Sequence, residues 1–311
     1  MSILDKEIEC IERSSLESLQ LEKLKKIVKY TYDNVKCFRD RMDEKGLKPS
    51  DVLSLDDLKR LPFSSKQDLR DFYPYGLLAT DFKNVIRVHG SSGTTGKRII
   101  ALYTENDLSD WSRAVSRALH GANLDENDVM QVCYGYGLFT GGLGLHDGAS
   151  KAGLTVIPAS SGNTALQIQL LCDLKSTALA CTPSYAMYLA EAINKENKKD
   201  ELHLKSLILG AEPWTEEMRH QIEKLTGAKA YDIYGLTEIT GPGVAYECEC
   251  QCGMHINEDM FLAEIVDPNT GEAIEDGNVG ELVFTTLNKE AMPLIRFRTH
   301  DLCKITKEKC K

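Results

Sequence analysis

Between residues 81 and 240, short apolar runs alternate with amphipathic stretches, and this alternation restricts the chain to few folds. The runs are Val85–Val88, Val129–Tyr134, Leu154–Pro158, Ala178–Cys181, Ser206–Leu209 and Ala230–Tyr234. Each has the length of a strand, and the gaps carry helical spacing, as in Asp107–Leu119. Thr104 with Asp107 resembles a capping box at the start of that helix, although Asp is weaker there than Glu. Strands alternating with helices predict an α/β fold, a mostly parallel sheet with helices on its faces. In such sheets ligands bind at the carboxyl ends of strands, so the strand exits are where chemistry is expected.

The flanking regions differ. In residues 1–80, Leu21, Leu24, Val28 and Val35 sit near helical spacing among Lys, Glu and Asp, and Pro49, Pro62 and Pro74 then cut the chain into short pieces. This reads as a helical lead-in to an 81–240 core. Residues 241–311 read as β-rich. Phe261–Val266 runs into Asp267-Pro-Asn-Thr-Gly271, and Gly280–Leu287 follows Asp276-Gly277, which predicts hairpin-type strands.

Composition narrows the function. The 311 residues are 42% hydrophobic and 27% charged, enough for a sizeable core. A net charge of −10 argues against a nucleic-acid coat or a polybasic membrane patch. No apolar run reaches the ~18 residues of a membrane span. The N-terminus, with acids among scattered apolar residues, lacks a signal-peptide pattern. The ten cysteines are therefore expected as thiols or metal ligands in a reducing cytoplasm.

Three segments carry chemistry. The first is Val88-His-Gly-Ser91-Ser92-Gly93-Thr94-Thr95-Gly96-Lys97. Glycines let backbone amides point inward, hydroxyls donate hydrogen bonds and the lysine adds charge, which together suit phosphate oxygens. It is not a Walker A loop, because position 91 is Ser and position 98 is Arg. The second, Tyr231–Glu238, puts a hydroxyl beside a carboxylate at a strand exit, where they could meet a phosphate and its magnesium. Alone that pair is weak evidence, since Thr-Glu pairs are usually solvated. The third is Leu294–Asp301, where Asp301 could accept ribose hydroxyls and the arginines could stabilise negative charge. Taken alone, an ordinary salt-bridge cluster is the better reading of it.

Together and in this order, the segments resemble the adenylate-forming superfamily of acyl- and aryl-CoA synthetases. Ser91–Lys97 is similar to its phosphate loop, Tyr234–Glu238 to its Tyr-Gly-x-Thr-Glu motif, and Arg298–Asp301 to its Arg-Thr-Gly-Asp motif, with His300 in place of Gly. Leu61–Leu69, Tyr134–Gly144, Thr182–Tyr185, Gly210–Pro213 and Met292–Arg296 narrow the resemblance to the phenylacetate–CoA ligase branch.

The resemblance implies ATP-dependent activation of an arylacetate to an acyl-adenylate, then to the CoA thioester. It implies that Ser91–Lys97, with Thr94 and Thr95 foremost, hold phosphates. Gly210, Ala211, Glu212 and Pro213 would flank the adenine, with Asp232, Ile233 and Tyr234 on its other side. Thr237 would contact the α-phosphate, Glu238 would bind Mg²⁺ and Asp301 the ribose. Thr237, Glu238 and Arg298 are the expected catalytic group. The acid pocket is expected around Tyr136, Phe139, Gly141 and Ala211, an apolar slot suited to an aromatic ring. On composition alone, Tyr136 and Phe139 would read as core packing. His146 receives no catalytic role.

The string Cys248-Glu-Cys250-Gln-Cys252-Gly-Met-His255 has the ligand types of a structural Zn²⁺ site, but its spacing is too tight for all four ligands. The resemblance implies Cys248, His255 and Cys310 as ligands, with Cys250 or Cys252 as alternative further ones. Free thiols in an exposed hairpin are the opposing reading. The resemblance also implies a hinge and a small C-terminal lid domain after the last residue, so that this chain alone is expected to bind nucleotide but to turn over poorly. Small-molecule partners only are expected, with no nucleic acid or membrane, and a homodimer is among the assemblies relatives adopt. Two other readings stay open: a relative that adenylylates another acceptor, and a degenerate nucleotide-binding protein without turnover.

Overall fold

The computed structural model describes residues 3–91 and 98–310. They divide into two compact units, each assembled from separated stretches: residues 3–5 with 111–256, and residues 6–110 with 257–310.

The first unit is built on a seven-stranded sheet. Its strands are β3 (Val129–Val132), β4 (Thr155–Ile157), β5 (Ala178–Cys181), β6 (Ser206–Gly210), β7 (Lys229–Leu236), β8 (Gly241–Glu247) and β9 (Met254–Ile256), in the order β4-β3-β5-β6-β7-β8-β9. From β4 to β7 every pairing is parallel; β8 and β9 are antiparallel additions. The apolar runs thus form the parallel sheet that their alternation with helices predicts. Ala178–Cys181 and Ser206–Gly210 are buried at every residue, as expected of strands covered on both faces.

The helices between them start where their sequences specify. Thr182 caps Pro183–Lys195 by accepting from the Tyr185 amide at 3.4 Å, with Pro183 in the first turn. Thr215 caps Glu216–Thr226 from the Met218 amide at 3.2 Å, and Gly227 ends that helix at φ +80°. Leu171 of helix Thr164–Asp173 joins Leu189, Ile193, Leu207, Leu209 and Ile222 in one buried cluster between the helices and the sheet.

The second unit contains β1 (Arg87–Gly90) paired antiparallel with β2 (Ile100–Tyr103). It also holds an antiparallel sheet of β10 (Phe261–Val266), β11 (Gly280–Thr286) and β12 (Phe297–Cys303). The β10–β11 pairing is the hairpin-type structure expected of this region. Val85–Val88, by contrast, reads in sequence as part of the parallel sheet and forms none of it. Only nine residues separate Gly90 from Ile100, and a parallel return needs a crossover of a dozen residues or more.

The lead-in forms helices Arg13–Asn34 and Lys36–Glu44. Leu16, Gln20, Leu24, Ile27, Val28 and Thr31 make the buried stripe of the longer one, while Val35 is extended and marks the break between the two. The Thr104–Asp107 capping box is present in both directions: the Thr104 amide donates to Asp107 at 3.0 Å and the Asp107 amide to Thr104 Oγ1 at 3.1 Å.

Two motifs distant in sequence meet in this unit. Ser64, within Leu61–Leu69, donates its amide to the Arg296 carbonyl at 3.1 Å and its hydroxyl to the Ile295 carbonyl at 2.7 Å. Buried Arg296 returns bonds to the carbonyls of Lys59 and Leu61 at 2.7 and 3.0 Å, and its Nε donates to Glu264 at 3.0 Å.

Candidate functional site

In the first unit the candidate residues gather at the carboxyl ends of β3, β5, β6 and β7. Tyr134 follows β3 and is buried; its hydroxyl donates to the Cys181 carbonyl at 2.6 Å and lies 3.1 Å from the Gly210 carbonyl. One side chain thereby ties three strand exits together, and burial pushes its own ionisation well above the ordinary tyrosine range.

Gly210–Pro213 leave β6 through a turn that needs its glycine. A Cβ at Gly210 would lie 2.2 Å from the Ile233 carbonyl oxygen. Ala211 follows at φ +70°, and Glu212 accepts the Ser184 amide at 3.3 Å. On β7, Asp232 has its carboxyl raised to about 6 by burial, against a hydrogen bond from Trp214 that lowers it. Tyr234 is half-buried on the same strand. Gly235 allows β7 and β8 to close at the bulge, because a Cβ there would stand 1.7 Å from the Gly241 carbonyl oxygen. Thr237 and Glu238 follow in a buried turn, with Thr237 Oγ1 at 3.4 Å from Thr140 Oγ1.

Of the expected acid-pocket residues, Tyr136, Phe139 and Gly141 lie on the β3 exit and the helix Thr140–Lys151. Tyr136 is half-buried, with its hydroxyl 3.2 Å from His146 Nδ1 and the two rings edge to face at 5.8 Å. Burial raises the Tyr136 hydroxyl to about 12. Phe139 caps the helix with its ring exposed, while Gly141 is buried against it: a Cβ would meet Phe139 at 2.8 Å. Ala211 is exposed at the β6 exit. Gly144 and Gly241 make room for the buried Trp111 indole, whose Nε1 donates to the Pro242 carbonyl at 2.8 Å.

Cys248 follows β8 and is buried, and its thiol lies within 4.8 Å of a His255 ring nitrogen on β9. A thiolate and an imidazole on one tetrahedral Zn²⁺ would stand closer than this limit, so the pair fits the donor set. Cys250 is half-buried and Cys252 exposed.

The second unit carries the remaining residues. Ser91 ends the β1–β2 pair, donating its amide to the Ile99 carbonyl at 3.0 Å while its hydroxyl accepts the Ile99 amide at 3.3 Å. Ser92, Gly93, Thr94, Thr95, Gly96 and Lys97 lie outside the described residues. Arg298 is held by Glu281 through its Nε at 3.0 and 3.2 Å and by the Pro268 carbonyl at 2.6 Å. The salt-bridge reading of this segment is therefore realised. His300 adopts φ +65°, a region that favours glycine, and its amide and Nδ1 both bond Glu281. Asp301 is exposed, with its amide on Thr299 Oγ1 at 3.0 Å, and Cys310 is exposed too.

Sequence reasoning missed Trp214, Arg219 and Glu247. Trp214 directly follows a recognised motif and was available to it. Arg219 sits on a helix of ordinary amphipathic pattern, and nothing in that pattern announces a buried cation.

Residues 43–288 match the family described as AMP-binding enzyme. A phenylacetate-coenzyme A ligase of Thermus thermophilus is 50% identical over 306 residues, covering 98% of this chain and 69% of its own length. The chain belongs to the phenylacetate–CoA ligase family of AMP-binding enzymes. The family's member from Escherichia coli is 46% identical, covering 96% of this chain and 69% of its own length. An open conformation of 2-hydroxyisobutyryl-CoA ligase, in complex with 2-HIB-AMP and CoA, superposes with a TM-score of 0.90 at 26% identity, covering 96% of this chain and 67% of that one. The chain spans about two thirds of the length of these relatives. As in the family, its type is an AMP-forming acid–CoA ligase. No helix among the described residues is long and apolar enough to cross a membrane.

Proposed function

We propose that this chain activates a phenylacetate-like acid. The carboxylate attacks the α-phosphorus of ATP, releasing pyrophosphate and forming the mixed acyl-phosphate anhydride. The CoA thiol, losing its proton, then attacks the acyl carbon, giving the thioester and AMP. The observation that carries this reading is 46–50% identity to phenylacetate-coenzyme A ligases over nearly the whole chain, with the motif residues present.

Adenylation makes a poor electrophile reactive by supplying a good leaving group, so the site must hold two anions close together. Backbone amides and hydroxyls of Ser91–Lys97 would take the phosphates. Thr237 would contact the α-phosphate, and Glu238 would hold Mg²⁺, which would neutralise charge on the phosphate oxygens. Gly210–Pro213 and Asp232–Tyr234 would flank the adenine, and Asp301 would accept from the ribose hydroxyls. Arg298, bound to Glu281, would steady the Asp301 segment and add positive charge beside it. Tyr136, Phe139, Gly141 and Ala211 would line the acid slot. A structural Zn²⁺ on Cys248, His255 and Cys310, with Cys250 or Cys252 as alternative further ligands, is supported by the buried thiol–imidazole pair and the ligand chemistry. A cytoplasmic location fits ten cysteines expected as thiols or metal ligands.

The test is incubation of the chain with Mg²⁺, ATP and phenylacetate, following pyrophosphate release and, after CoA is added, phenylacetyl-CoA. Acid-dependent pyrophosphate with thioester supports the full reading. Acid-dependent pyrophosphate without thioester points to another acceptor. ATP binding with neither product points to a nucleotide-binding protein without turnover.

A further inference from the structure

We infer that Arg219 and Glu247 are positioning residues for the nucleotide base, because this buried pair ties Trp214, which follows the first segment that would flank the adenine, to the backbone of β7 at the second. The inference rests on the proposed placement of the adenine between Gly210–Pro213 and Asp232–Tyr234, and it concerns residues outside both.

Arg219 lies in helix Glu216–Thr226 and is 4% exposed; Glu247 ends β8 and is 5% exposed. They form a two-pronged pair at 2.7 and 2.9 Å. On one side, the guanidinium stacks over the Trp214 ring at 4.5 Å from its centroid. Trp214 directly follows Pro213, and its indole lies near enough to the Asp232 carboxyl to oppose the effect of burial on it. On the other side the pair reaches β7 twice. Arg219 donates to the Ala230 carbonyl, and Glu247 accepts the Asp232 amide at 2.7 Å. Trp214 and the backbone on either side of Tyr231 are thus fixed against the same two side chains.

A sheet needs no charges to be braced here. Replacing a buried ion pair by apolar side chains of similar volume is often neutral or stabilising, since both charges lose their hydration. What the planar guanidinium supplies instead is direction: a fork for the carboxylate and a flat face for the indole at once, which an ammonium cannot offer. The arrangement fixes the separation of Trp214 from β7, and with it the width available to a purine between the two segments.

The experiment compares ATP and GTP binding by calorimetry in the wild-type chain, in Arg219→Lys and in Arg219→Met/Glu247→Gln, with melting curves for each. The double variant leaves no buried charge unpaired, since Glu216, the other partner of the guanidinium, is largely exposed, and it retains an acceptor for the Asp232 amide. A positioning role predicts folded variants whose ATP affinity falls about tenfold and whose preference for ATP over GTP shrinks. Folded variants with unchanged ATP affinity and preference overturn the inference, leaving the pair a structural brace. Should the double variant not fold, Arg219→Lys decides by the same two readings. A wild-type chain that binds neither nucleotide, or both equally, refutes the adenine placement itself and the inference with it.

Discussion

The ammonium of Lys289 lies 3.4 Å from the centroid of the Tyr103 ring and has no hydrogen-bond acceptor among the described residues. Both side chains are buried. The ring face offsets part of the lost hydration, as cation–π contacts do. Around them the segment is firmly bound: the amides of Glu290 and Ala291 donate to Asp107 at 2.7 and 3.0 Å, and Tyr30 donates to the Glu290 carbonyl at 3.0 Å.

Burial draws the Lys289 ammonium down from 10.5 to about 8, against the opposing pull of Asp107. The folded chain therefore releases this proton before the unfolded chain does. The cost of burying the charge is fully present below pH 8 and disappears as pH rises to 10.5, so this residue makes stability increase with pH across that window, by up to about 1.4 kcal/mol per unit. Lys289→Met keeps the volume and removes the charge. Denaturant titrations from pH 7 to 10 should show a less upward slope for the variant than for the wild type, and a higher stability at pH 7. Parallel curves would exclude the effect.

His300 occupies a conformation, φ +65°, that costs a non-glycine residue about 1 kcal/mol. Its imidazole is largely exposed where it meets the buried Glu281, and glycine and alanine variants lose that contact alike. His300→Gly should be more stable than His300→Ala by about 1 kcal/mol, since both lose the imidazole and only alanine retains the strain. Equal melting temperatures would show that the turn relaxes without cost.

Gly235→Ala drives a Cβ into the Gly241 carbonyl, which belongs to a paired strand and has nowhere to move. A loss of about 3 kcal/mol is expected, with weakened nucleotide binding from the displaced β7 exit. Gly137→Ala meets nothing within 4 Å among the described residues and should change stability by less than about 0.5 kcal/mol. Calorimetric melting of the two variants side by side checks the contrast.

Bound zinc should be measurable as about one equivalent per chain by elemental analysis, and chelation should lower the melting temperature. Cys248→Ala and His255→Ala should each lose the metal and part of that stability. A metal-free wild type that melts no differently after zinc addition would leave Cys248 a buried thiol only.

Much of this protein was legible in its sequence. The apolar runs from Val129 to Tyr234 specify a parallel sheet because strand length and helical gaps admit little else, and the β10 and β11 runs specify a hairpin in the same way. Local chemistry also sufficed for Thr104, whose side chain and backbone find Asp107 within one helical turn. The ordered motifs likewise identify the family, because each combines residue types that chance seldom places together.

Only the folded chain decided the rest, because it depends on residues distant in sequence. The Val85–Val88 run fits a parallel strand as well as an antiparallel one, and its partner β2 settles the matter. Leu294–Asp301 reads as a salt-bridge cluster without a named acid, and only the fold shows that Glu281 is the partner of Arg298. His300 reads as a departure from a motif until its backbone shows why glycine is favoured there. Arg219, Glu247 and Trp214 become one unit only when β8 pairs with β7, since periodicity reports which face of an element is buried and not which charged groups meet beneath it.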